Sequence, residues 1–186
     1  MLRNKSGVRW MKSKIAETLI ASLGTLFFLF LIIPFFLIWI PRRILLSPEN
    51  IYRFDIGVYR YFGLAPIVLG VVIYILCSGS FVLIGKGTPI PFTPTKELIV
   101  TGLYRFVRNP LYIAGVLVLA GEAILFQSVG IFIYCLVMFG VFYFHVLMEE
   151  TLLAEKFGVT YEQYCKSVPR WIPKLKPYLG KDSESK

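Results

Sequence analysis

Charge, proline and aromatic residues collect in one stretch, Thr101-Gly102-Leu103-Tyr104-Arg105-Phe106-Val107-Arg108-Asn109-Pro110-Leu111-Tyr112-Ile113-Ala114-Gly115, set directly against a long apolar run. Arg105 and Arg108 stand three apart with Tyr104 and Tyr112 on either side. Such a group could hold an anion on guanidinium, stack a planar ring on tyrosine and offer the backbone amides of a helix start near Pro110. The same residues could equally anchor a membrane helix at the headgroups. One apolar hairpin further on comes a second polar cluster, His145, Glu149 and Glu150. On a helix His145 and Glu149, four apart, share a face, and their carboxylate suits a cationic group such as an ammonium or sulfonium. Read structurally, the glutamates are a solvated helix exit and His145 a packed interfacial side chain. The working site expected here is the two clusters together, with Arg108, His145, Glu149 and Glu150 as the candidates for catalysis.

Other chemistries are excluded by what the chain lacks. It contains no Gly-x-Gly-x-x-Gly after a strand, no Walker loop and no His-Glu-x-x-His, and its single histidine forecloses most triads. Cys77, Cys135 and Cys165 are far apart with no Cys-x-x-Cys, so neither a metal site nor a disulfide framework is expected.

The elements that must position these residues are membrane helices. The 186 residues fit one domain, but 56% are hydrophobic and only 17% charged, with a mean hydropathy of +0.69; soluble domains carry roughly a quarter charged residues. A net charge of +9 does not indicate nucleic acid, because the basic residues sit at the edges of apolar runs and not along one face. They read as topology signals and lipid contacts, so the bilayer is the expected partner.

Four spans are expected, at about 18–41, 61–85, 111–126 and 129–148. Basic residues from Met1 to Lys14 and Trp10 precede the first, which is read as a retained helix, kinked at Pro34 and stopped by Arg42 and Arg43. Residues 42–60 form a surface connection. After the second span, Gly85 to Pro94 carries three prolines and is expected to be an ordered, extended loop at the membrane face. The third helix has about 16 residues, some 24 Å, and the turn into the fourth falls near Gln127 and Ser128. Glu122 is the one charged residue deep in a span, either a structural hydrogen-bonding group or the lining of a substrate path.

Thr151 to Phe157 continues the fourth helix or starts another, and Gly158 suits a C′ position. Thr160 with Gln163 has capping-box spacing, and Tyr161, Tyr164, Cys165 and Val168 share one face of a short helix that Pro169 ends. Arg170, Trp171, Lys174 and Lys176 form an interfacial anchor, and Gly180 to Lys186 a frayed tail. Counting Lys and Arg with the N-terminus inside puts sixteen of the twenty on the side that also holds both polar clusters. Both termini and the site are therefore expected to be cytoplasmic, in an all-α polytopic membrane bundle whose amphipathic C-terminal helices cover the site.

The run Lys96-Glu97-Leu98-Ile99-Val100-Thr101-Gly102-Leu103-Tyr104, then Arg108-Asn109-Pro110-Leu111-Tyr112 and Gly115, then Glu149-Glu150, Phe157-Gly158, Tyr161, Tyr164 and Val168-Pro169 resembles the isoprenylcysteine carboxyl methyltransferase and phospholipid methyltransferase superfamily of integral membrane enzymes. The resemblance covers about half the chain, 85–173. It departs at Asn109, where the family usually has His, and at His145, where it often has Arg. It implies a methyltransferase using S-adenosylmethionine, with Lys96, Leu98, Ile99, Tyr104, Asn109, Pro110, Tyr112 and Glu150 bordering the cofactor and Glu149 or Glu150 contacting it or orienting the acceptor. The acceptor it implies is lipophilic, a prenylcysteine-like carboxylate or a lipid amine. Membrane sterol-type reductases using NADPH are similar in their C-terminal half, and a non-catalytic lipid-binding scaffold of the same fold is the third reading.

Overall fold

The computed structural model describes residues 32–33, 35–47, 53–84, 98 and 100–179. Expectations for the N-terminal arm, most of the first span, the proline-rich loop and the C-terminal tail lie outside these residues. Among the described residues the regular structure is helical. A π-type turn, Phe35–Trp39, leads into α1 (Ile40–Leu46), and a 3₁₀ turn, Gly57–Gly63, leads into α2 (Leu64–Ile84). A second 3₁₀ turn, Gly102–Arg105, precedes α3 (Pro110–Leu125), α4 (Val129–Phe157) and α5 (Val159–Ser167).

Two helical stretches, Gly57–Gly79 and Val129–Phe157, are long and apolar enough to cross a membrane. Only 22% of the most hydrophobic window of each is buried. A core helix of a soluble protein would be mostly covered, whereas these turn Val68, Leu69, Val72, Ile75, Phe132, Ile133 and Leu136 outward. Such a surface suits lipid.

Close approach of α2 and α3 rests on missing side chains. A Cβ on Gly63 would lie 2.5 Å from the Gly121 carbonyl oxygen, one on Gly121 2.6 Å from that of Gly63, and one on Gly70 2.7 Å from that of Ala114. This antiparallel seam of small residues lets two backbones meet where the hydrophobic effect gives no attraction between helices. α4 packs on the other side of α3, around Leu37, Val118, Leu119, Cys135 and Met138.

The turn between α3 and α4 lies where the sequence indicates. Gln127 adopts φ of 54°, and buried Ser128 caps α4, its Oγ accepting from Ile131 N at 3.3 Å. Phe54 N donates to Gln127 O at 3.2 Å, tying the 53–56 connection to this turn. The two are thus joined at the end of the bundle remote from the polar clusters.

Two local expectations need correction. The helix does not stop at Arg42 and Arg43 but runs through them to Leu46; arginine is a good helix former, and the Arg43 guanidinium sits 4.9 Å over the Trp39 ring. Of the two courses open to Thr151–Phe157 the structure takes the first: α4 continues to Phe157, so Glu149 and Glu150 are mid-helix and do not oppose the dipole of a helix end. The Thr160–Gln163 capping box is absent because α5 starts two residues earlier, with Gly158 at φ 51° ending α4 and opening α5 and no side-chain cap.

Candidate active site

Glycine starts the site. Gly102 has φ of +57°, a left-handed conformation that costs a side-chain-bearing residue about 1–2 kcal/mol. It lets the chain turn so that Tyr104 N donates to Thr101 O at 3.1 Å and Phe106 N to Leu103 O at 3.0 Å. Asn109, at φ −123° and ψ 52°, lies outside the helical region that a following proline disfavours, and Pro110 opens α3 where its missing N–H costs nothing.

That turn aims Arg108 at Glu150. Arg108 Nη1 lies 3.0 Å from Glu150 Oε1, while Arg170 donates from Nε to Oε1 at 3.0 Å and from Nη2 to Oε2 at 2.6 Å. One carboxylate thus ties two guanidiniums, the second in a two-point fork that arginine supports and lysine does not. Arg108 Nη1 also donates to Cys165 Sγ at 2.8 Å, joining α5 to the same knot. The buried Arg108 Nε–H has no acceptor among the described residues.

A second group sits beside the first. Tyr112 OH donates to Glu149 Oε2 at 3.0 Å and lies 3.0 Å from His145 Nδ1. With the phenol proton given to Glu149, the consistent arrangement has Nδ1–H donating to the phenol oxygen, leaving the Nε2 lone pair open. The His145 and Glu149 side chains remain 41% and 44% exposed, so this cluster is reachable, in contrast to Glu150 at 14%. Half-buried Tyr104 stands close enough for the charge of Glu149 to act on its phenol. Desolvation first, then the nearby Cys77, Glu149, Tyr112 and Tyr164, hold that phenol well above its ordinary pKa.

The C-terminal segment closes over the turn by backbone pairing. Arg108 N donates to Pro169 O at 2.9 Å, Lys174 N to Phe106 O at 3.0 Å and Tyr178 N to Arg105 O at 2.9 Å. Asn109 Nδ2 donates to Arg170 O at 3.2 Å, and Arg105 Nε to Tyr178 O at 2.7 Å. Beneath, Tyr161, Tyr164 and Val168 of α5 and its end pack on Leu98, Val100 and Phe157, with Tyr164 OH donating to Tyr104 O at 2.7 Å.

Residues 58–160 match the phospholipid methyltransferase family. The chain belongs to that family. It is also 35% identical over 131 residues to a protein named Protein-S-isoprenylcysteine O-methyltransferase from Schizosaccharomyces pombe, an alignment covering 68% of this chain and 54% of that protein. The chain therefore spans about half the length of the curated relative it matches. The phospholipid methyltransferase match begins at the 3₁₀ turn before α2 and ends at the start of α5, so it takes in both polar clusters.

Of the residues singled out from sequence, the structure joins Arg108 to Glu150 and Tyr112 to His145 and Glu149. Tyr104 and Asn109 belong to the same turn, Pro110 is buried at the start of α3, and Leu98 packs under α5. Lys96 and Ile99 lie outside the described residues. Sequence reasoning missed Arg170, read there as part of an interfacial anchor, and Cys165, read there only as one residue on the shared face of a short helix. It also gave Arg105 no structural partner, although Arg105 holds the C-terminal segment. The available signal was Val168-Pro169, which ends α5 and frees the next residues to pair with the turn.

Proposed function

We propose that this protein is an integral-membrane methyltransferase that uses S-adenosylmethionine and acts on a lipophilic acceptor at the bilayer boundary, with site and termini on the cytoplasmic side. The observation that carries this reading is the adjacency, in a chain of this family, of a buried arginine donor without an acceptor among the described residues and an accessible tyrosine–histidine–carboxylate group. The residues fit such a cofactor: Arg108 Nε–H suits a carboxylate, Glu149 an ammonium or sulfonium, and Tyr104 a planar ring. Asn109, Pro110, Tyr112, Leu98, Ile99, Lys96 and Glu150 would border it, with Glu150 acting mainly by holding Arg108 in place. When bound, S-adenosylmethionine supplies a methyl group on a positively charged sulfur.

The protein's own contribution is then alignment and exclusion of water. In-line displacement requires reactants held in register, which can supply several kcal/mol of the barrier without a covalent nucleophile. A carboxylate acceptor, as the name of the fission-yeast relative suggests, needs no general base. An amine acceptor, as the family name suggests, must lose a proton, and His145 Nε2, backed through Nδ1 by Tyr112 and Glu149, is the candidate to take it.

The test is ligand binding by the detergent-purified protein to S-adenosylmethionine and, separately, to NADPH. Micromolar binding of the former is expected, abolished in Glu150→Gln and weakened in Tyr104→Ala. Binding of NADPH alone would make the protein a reductase, and binding of neither a scaffold. Incubating membranes with methyl-labelled S-adenosylmethionine then identifies the acceptor.

A further inference from the structure

The segment after α5, Pro169-Arg170-Trp171-Ile172-Pro173-Lys174-Leu175-Lys176-Pro177-Tyr178-Leu179, is poorly suited to water. Ile172 is 79% exposed, Leu175 98% and Leu179 63%, a density of bare aliphatic side chains that an aqueous loop does not carry. Its inner side is fixed: Trp171 stacks at 6.4 Å on Tyr143 and packs at 5.5 Å on Phe139 of α4. Tyr143 is fourteen residues into α4, about 21 Å along a core of about 30 Å. Trp171 therefore reaches back along the lipid-facing helix, next to exposed Phe139 and Phe144.

The backbone suits that depth. Prolines at every fourth position, 169, 173 and 177, remove three N–H donors, and the N–H groups of Lys174 and Tyr178 are taken by carbonyls of the 102–109 turn. Each donor removed or paired in this way lowers the cost of irregular backbone near a membrane. The charge is one-sided, since the segment contains no acidic residue. Arg170 is occupied by Glu150, which leaves Lys174, whose Nζ stays at the surface on Ser167 O, and exposed Lys176. Glu155 and Glu162 lie on α4 and α5, outside this segment.

We propose that Pro169–Leu179 is a docking surface for an anionic bilayer: Ile172, Leu175 and Leu179 enter the acyl boundary of the leaflet on the site's side while Lys174 and Lys176 take phosphate headgroups. Because the same segment bonds the carbonyls of Arg105 and Phe106, anionic lipid that orders it also orders the turn carrying Arg108.

The experiment uses the full chain with Trp10→Phe and Trp39→Phe, leaving Trp171, in nanodiscs of phosphatidylcholine with or without phosphatidylglycerol, the acyl chains brominated near the headgroup. Trp171 emission is expected to be quenched in both, and more strongly with phosphatidylglycerol; Lys174→Glu with Lys176→Glu should abolish that increment, each charge being worth roughly a five-fold factor in attraction. In parallel, the otherwise unaltered protein is exposed to trypsin, and phosphatidylglycerol should slow cleavage after Lys174 where phosphatidylcholine does not. Quenching and cleavage indifferent to lipid charge would overturn the proposal, as would protection that requires two copies per disc or an added soluble protein. Neither readout depends on methyl transfer.

Discussion

At the scale of single residues, the two adjacent glutamates have separate tasks. Glu150 is committed to Arg108 and Arg170, whereas Glu149 is half-exposed and shares Tyr112 with His145. Tyr112→Phe therefore separates chemistry from folding. It deletes one hydroxyl between two solvent-reachable partners, at a stability cost of about 1 kcal/mol, but frees both His145 and Glu149 to reorient. We expect kcat/KM for methyl transfer to fall roughly ten- to hundred-fold, as when groups that orient functional ligands are removed, with the thermal midpoint nearly unchanged; equal activity would remove Tyr112 from the site. At Asn109, the buried amide donates to Arg170 O, a task that an imidazole N–H also performs. Asn109→His should keep S-adenosylmethionine binding within a few-fold, and complete loss in a folded protein would show a pocket fitted to the amide. The sequence made Arg108 and Glu150 legible as partners because both stand out against apolar runs. It hid Arg170, because a basic residue beside Trp171 reads equally well as a headgroup anchor.

At the scale of elements, helix starts and turns were legible from local chemistry: Pro110 at the head of α3, Ser128 capping α4, Pro169 after α5. What was not legible depended on contacts distant in sequence. The glycines of α2, of the 3₁₀ turn before it and of α3 give no periodic signal, yet Gly63, Gly70 and Gly121 decide how closely those helices approach. Gly121→Val should lower the thermal midpoint in detergent, since overpacking of this kind costs about 1–3 kcal/mol; Gly79→Val, with nothing within 4 Å of its added Cβ, is the control. The tyrosines of α5 make a second prediction. Burial is the leading cause that raises the Tyr161 and Tyr164 phenols above their ordinary value, with Arg108 partly offsetting it. The folded pKa exceeds the unfolded one of about 10, so above that pH the unfolded chain holds fewer protons and stability falls as pH rises. It is fully present below pH 10 and declines above it by up to about 1.4 kcal/mol per unit for each phenol. Unfolding of α5 followed by hydrogen exchange between pH 9 and 11 should show this slope, reduced in Tyr161→Phe.

At the scale of the whole molecule, the site is assembled from segments that meet only because α4 is longer than a bilayer's hydrocarbon core is thick. Its 29 residues span about 43 Å, so its later turns carry Glu149 and Glu150 to the level where short α3 begins. The chain then reverses at Gly158 and returns along the turn that precedes α3. Closure of this loop depends on Arg170 more than on any apolar contact, because the paired backbone of residues 169–178 lies at the surface while the Arg170–Glu150 fork is mostly covered. Arg170→Ala leaves Glu150 with Arg108 alone, still neutralised, whereas Glu150→Ala leaves two guanidiniums facing each other. The first should cost about 1–2 kcal/mol, screened by the exposure of Arg170, and the second about 3 kcal/mol or more. In detergent, amide exchange at Lys174 and Tyr178, whose N–H groups pair with the turn, should accelerate in Arg170→Ala while exchange in α2 and in the first half of α4 stays as it was. Unchanged exchange at those two amides would mean that the backbone pairing holds the segment unaided and that the fork serves only to fix Glu150.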